Sequence, residues 1–66
     1  MSENAVITPR LMKTRLAAHY LSVSEWKIRN LVQEGEIACI IGEGTSPWLF
    51  DMQDLDDWVE RQKRTL

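Results

Sequence analysis

Four residues in one short stretch could work together. Trp26, Arg29, Asn30 and Gln33 follow each other at helical spacing. With Ile28 set at zero and about 100° per residue, they fall at roughly 160°, 100°, 200° and 140°. Leu31 and Val32 stay within about 60° of Ile28 on the opposite side. On a helix the four would form an outward stripe behind an inward apolar one. Arg can donate two bonds to a guanine, and Asn or Gln can pair with an adenine edge at two atoms. Trp26 offers an apolar face for a sugar or a thymine methyl, and Lys27 at the flank suits a phosphate. The chemistry these types share is that of reading a DNA duplex.

Other candidates add to it or fall away. Arg10, Lys13 and Arg15 precede or open the first helical stretch, where cations and free N–H groups hold phosphate oxygens. Thr45 and Ser46 lie in a turn cluster and could touch the backbone through hydroxyl and N–H groups. No catalytic, cofactor-binding or metal-binding set is read. His19 has no cysteine or carboxylate at a persuasive spacing. Cys39 alternates with apolar neighbours and reads as a small core residue. The carboxylates of 51–60 are explained by helix capping and i,i+4 pairing.

Residues of this kind need a frame. The first helix is expected to start near Thr14, capped by its hydroxyl, with Leu16, Ala17, Tyr20 and Leu21 as its apolar stripe. Ser22-Val23-Ser24 breaks the pattern as a tight turn, and Ser24 is a good cap for the next helix. The second helix should run from about Glu25 to Glu34 and stop at Gly35. Residues 36–41 are rich in β-branched types and read as a strand. Residues 42–47 hold two glycines and a proline and read as a turn, and Trp48-Leu49-Phe50 returns as a second strand. Asp51 then caps a third helix with Met52, Leu55, Trp58 and Val59 inward. Asp57–Arg61 and Glu60–Arg64 would pair outside it. Trp58 and Tyr20 are read as core. The fold class is mainly α with a small β-hairpin, a winged helix-turn-helix in the order helix, turn, helix, hairpin, helix. Residues 1–10 are expected as a flexible arm and 11–66 as the domain.

Size and composition agree with a surface-presenting module. At 66 residues the chain is one domain at most. A domain of this size buries only about 60% of its unfolded surface, leaving little room for a deep pocket beside a core. Apolar residues make up 44% and charged ones 27%, which excludes a disordered tail. No apolar run nears the roughly 18 residues of a membrane span. No signal-peptide pattern opens the chain. One cysteine leaves no internal disulfide, so a reducing, cytoplasmic setting is expected. The net charge of −2 hides an imbalance. Residues 1–33 carry five Lys/Arg against two Glu, whereas 34–66 carry three against eight Asp/Glu. The two halves therefore differ in sign.

Three segments together resemble a known family. They are Ala17-Ala18-x-x-Leu21-Ser22-Val23-Ser24, x-Ile28-x-x-Leu31-Val32-x-Glu34-Gly35-Glu36-Ile37 and Phe50-x-x-x-Asp54-Leu55-x-x-Trp58-Val59. From about Leu11 to Arg64 the chain looks like the small winged helix-turn-helix domains of the excisionase and MerR-like type. Such domains occur in excisionases, prophage regulators and the DNA-binding ends of small phage terminase subunits. The resemblance implies sequence-specific binding of double-stranded DNA by a prophage or mobile-element type protein. It places the helix of 24–34 in the major groove and the 42–47 wing on the adjacent groove or backbone. It also implies a recombinase, or a second copy on an adjacent site, as a further partner. The chain departs from the family where basic residues usually follow the second Ser: here stand Glu25 and Trp26. Arg is also often found around the returning strand, where this chain has Leu49, Asp51 and Met52. The alternative reading is a winged-helix module used for protein contacts, motivated by the acidic second half and by Trp26 and Trp48. No small-molecule substrate and no membrane partner are expected.

Overall fold

The computed structural model describes residues 9–44 and 47–65. Five elements appear in chain order: β1 (Leu11–Lys13), α1 (Thr14–Leu21), α2 (Glu25–Gln33), β2 (Leu49–Asp51) and α3 (Met52–Gln62). Strands β1 and β2 pair antiparallel, with Leu11 opposite Asp51, Met12 opposite Phe50 and Lys13 opposite Leu49. On its other edge Leu49 forms a single bridge to Ile40. The arrangement is a winged helix-turn-helix, with the wing leaving from the Ile40–Leu49 bridge.

Both helices of the turn end by the same device. After α1, Ser22 takes a left-handed backbone (φ 59°). Its N–H reaches the His19 carbonyl at 3.1 Å, and the Val23 N–H reaches that of Ala18 at 2.9 Å. After α2, Gly35 does the same (φ 77°). Its N–H goes to Val32 at 3.0 Å, and the Glu36 N–H goes to Leu31 at 2.8 Å. These paired bonds satisfy carbonyls that a helix end leaves open. Ser24 then starts α2 with its side chain accepting from the Lys27 N–H at 3.0 Å. Three residues, Ser22 to Ser24, thus fix the angle between α1 and α2.

The core is Met12, Ala17, Ala18, Ile28, Leu31, Ile37, Phe50 and Leu55. Every main element donates to it, so the helix pair is held from below by β2 and α3. In α1 two of the expected stripe face inward, Ala17 buried and Leu21 packed on the core, and Ala18 joins them in place of the other two. Leu16 (40% exposed) and Tyr20 (37%) lie outside. Two alanines let α1 sit close to α2, and Leu16 and Tyr20 turn away. Tyr20 is not core; its hydroxyl donates to Asp56 of α3 at 2.6 Å. Leu55 is buried as expected, while Met52, Trp58 and Val59 are half-buried.

Four expectations about local structure are corrected. Thr14 does not cap α1; it is the first helical residue, because Lys13 is still extended in β1, and Lys13 makes no side-chain cap bond. Residues 36–41 do not form a strand. The N–H groups of Glu36 and Ile37 both turn back to Leu31, and the Glu36 carbonyl accepts from Arg61 Nη2 at 2.6 Å. Only Ile40 is left to pair. Outside α3, Arg61 is spent on that carbonyl and Glu60 pairs with Lys63 at 2.7 Å. Arg64 lies beyond the end of the helix. Trp48 is half-buried and packs on the core rather than standing free.

Of the arm expected over 1–10, residues 1–8 lie outside the described residues. Arg10 is held. Its guanidinium meets Asp51 at 3.2 Å, and its carbonyl accepts from the Met52 N–H at 2.7 Å. Asp51 also caps α3, accepting from the Gln53 N–H at 2.9 Å. That N–H, and secondarily Arg10, hold its carboxyl below the usual carboxylate range.

Candidate nucleic-acid interface

Helix α2 is built to present one face. Ile28 and Leu31 are buried and Val32 packs beside them, which pins the helix rotation. Opposite them, Trp26 is 72% exposed, and Lys27, Arg29 and Gln33 are also exposed. Ser24 caps the end that carries Trp26, and Glu25 in the first turn complements the helix dipole.

Asn30 behaves differently from the rest of the stripe. The residue is half-buried. Its amide nitrogen is enclosed and has no hydrogen-bond partner. The outward stripe is therefore narrower than the wheel implies and centres on Trp26, Arg29 and Gln33. A donor enclosed without an acceptor carries a desolvation cost, which a small side-chain rotation toward an acceptor would relieve.

Glu25, one of the two residues at which the chain departs from the family pattern, stands beside this face. Its carboxylate meets the Arg29 guanidinium at 3.3 Å, one turn away. The signal was present in the sequence, since Glu four residues before Arg is the favourable helical order. Both side chains are about half exposed (44% and 53%), so the pair contributes little to stability. It limits where the guanidinium points.

Lys13 and Arg15 stand at the start of α1, both exposed. The α1 N-terminus has no side-chain cap and no acidic residue in its first turn. Its first N–H groups and these two cations thus offer an anion-favouring end. They line a groove of about 580 Å³ with Leu11, Met12, Leu16 and His19. None of the α2 stripe borders that groove, so the candidates form two separate groups. On the wing, Gly42, Glu43 and Gly44 are exposed. Thr45 and Ser46 lie outside the described residues. Among the described residues no helix is long and apolar enough to cross a membrane.

No curated protein and no solved structure matches the chain at a significant level. A family model described as a helix-turn-helix domain matches residues 11–63. That span runs from the first residue of β1 to the residue after α3, so it takes in every element described above. Domains of this family bind double-stranded DNA and are typically non-enzymatic. With its turn, its α2 face and its wing all inside the matched span, the chain belongs to this excisionase-like helix-turn-helix domain family.

Proposed function

We propose that the chain binds a specific duplex sequence as an excisionase-like directionality factor or transcription regulator of prophage or mobile-element type. Helix α2 enters the major groove. Arg29 and Gln33 read base edges with Trp26, and Lys27 meets a phosphate. Lys13, Arg15 and the N-terminus of α1 take the flanking backbone, and the 42–47 wing, with Thr45 and Ser46, lies on the neighbouring groove. Asn30 joins the reading once its amide finds an acceptor on an adenine edge. The observation that carries this reading is the polar and aromatic face of α2, exposed on the side opposite Ile28 and Leu31. A helix so oriented is narrow enough for the major groove and has its base-reading types in place.

Selection from a random duplex pool, followed by fluorescence anisotropy at two salt concentrations, tests it. Enrichment of one sequence is expected. A pool that stays unenriched, with no binding even at low salt, would remove the proposal.

A contact to a recombinase, or to a second copy on an adjacent site, is supported by a different surface. Leu11 and Leu16 are exposed along the groove of β1 and α1, away from the α2 stripe. Binding there would leave the α2 face free for DNA but would compete with the backbone contacts of Lys13 and Arg15, which line the same groove.

A further inference from the structure

We propose that the recognition helix reads the C5-methyl group of a pyrimidine through Trp26, at a base step neighbouring a guanine read by Arg29. The inference rests on the DNA-binding reading of α2 and gives it a preferred substrate chemistry.

Trp26 is the second residue of α2, in the turn that a recognition helix directs at base edges. It is the most exposed of the large apolar side chains described, and it is not among the side chains packed on the core. An indole has one N–H donor and no acceptor. It cannot make the two-point hydrogen bonds by which Arg, Asn or Gln distinguish bases. What it offers is a broad apolar face. On the major-groove edges of the four ordinary base pairs, the apolar group is the thymine methyl. A 5-methylcytosine carries the same group at the same position.

The neighbours of Trp26 sharpen the choice. Arg29 lies three residues on, a surface neighbour about 5–6 Å away between Cβ atoms. Three residues advance about 4.5 Å along the helix, close to the spacing of one base pair, about 3.4 Å. As neighbours on one face, indole and guanidinium can reach base pairs that adjoin. Glu25 holds Arg29 beside this turn at 3.3 Å. Lys27, at the flank of the same turn, is the side chain suited to a phosphate, which leaves the indole for the base edge. At this end of α2, discrimination comes from shape and apolar contact more than from charge.

The test uses the full chain and the duplex it selects from a random pool. Each thymidine of that duplex is replaced in turn by deoxyuridine, which removes one methyl and keeps every base-pairing and groove hydrogen-bond group. At one position the loss should be about fourfold in affinity, as expected for one buried methyl. Replacing that T·A pair by 5-methylcytosine·G should bind better than unmethylated C·G by a similar factor, which shows whether the methyl or thymine itself is recognised. Trp26→Ala should bind the thymidine and deoxyuridine duplexes equally, and Trp26→Phe should keep part of the difference. Circular dichroism melting checks that both variants fold, as an exposed position should allow.

Three outcomes overturn the proposal alone: a selected duplex indifferent to deoxyuridine at every position, a Trp26→Ala variant that keeps the difference, or a 5-methylcytosine duplex bound no better than its unmethylated form. Failure to select any duplex overturns the DNA reading and takes the proposal with it.

Discussion

Asp51 shows how much one side chain carries in so small a molecule. It caps α3, pairs with Arg10 and closes the β1–β2 register. Its carboxyl titrates below the ordinary range because it accepts from the Gln53 N–H and faces Arg10. A depressed carboxylate contributes stability that is present above its unfolded pKa and is lost as pH falls through the folded value. Melting temperature should therefore drop on acidification, and Asp51→Asn should flatten that drop. Tyr20 works at the other end of the scale. Its hydrogen bond to Asp56, with burial and the nearby charge adding, raises its pKa. Its contribution is present below the unfolded value near 10 and is lost as pH rises through the higher folded one. Tyr20→Phe should blunt an alkaline loss of melting temperature and leave the acid limb unchanged. At the DNA face, Arg29→Ala should cost about 1–3 kcal/mol on the selected duplex and relax preference at one base. Glu25→Gln frees the same guanidinium and removes a charge. It should strengthen binding to unselected DNA, read as a narrowed ratio of specific to non-specific affinity.

At the scale of elements, the helix-turn-helix was readable because its signals are local. Ser24 as a cap, Gly35 as a stop and the Ile28–Leu31–Val32 spacing each act within a turn of chain. The strands were less readable. Leu11-Met12-Lys13 is too short to show alternation, and what makes it a strand is β2, some forty residues away. Residues 36–41 look like a strand by composition, but capping α2 consumes the N–H groups a ladder would need. The stripe of α1 is right at Ala17 and Leu21 and off at Leu16 and Tyr20, because Ala18 carries less hydrophobic weight than either, yet Ala17 and Ala18 are the pair that permits close packing. The two helix ends can be compared directly. Gly35 has open space where a Cβ would stand, so Gly35→Ala meets only the backbone penalty of a left-handed residue, about 1 kcal/mol. Ser22 already bears that penalty, and Ser22→Gly should recover up to about 1 kcal/mol. Urea denaturation of the two variants should give shifts of opposite sign.

Across the whole molecule, charge separates by region more than it sums. The cations proposed for DNA are Lys13, Arg15, Lys27 and Arg29, all in the first half, while α3 presents Asp56, Asp57 and Glu60 to solvent. With Arg29 on a base edge, three cations are left for phosphates, which gives a salt slope no steeper than about −0.9 × 3, near −3. A plot of log affinity against log salt should stay within that limit. A steeper slope would mean that residues not placed at this interface take part. The proposed DNA face is legible in the sequence only as residue types. Where the indole, guanidinium and carboxamides stand depends on the rotation of α2, which the core sets. The enclosed amide of Asn30 shows how far wheel geometry departs from real packing.

The pairing of Leu11 with Asp51 has a consequence for how the molecule comes into being. Strand β1 leaves first during synthesis and has no mate until residues 49–51 have been made. Until then α1 and α2 lack Phe50 and Leu55 beneath them. The early segments must wait, and the chain acquires its shape in one late step. A fragment ending at Pro47 should accordingly show no cooperative thermal transition by circular dichroism, although it contains the entire turn that would read DNA.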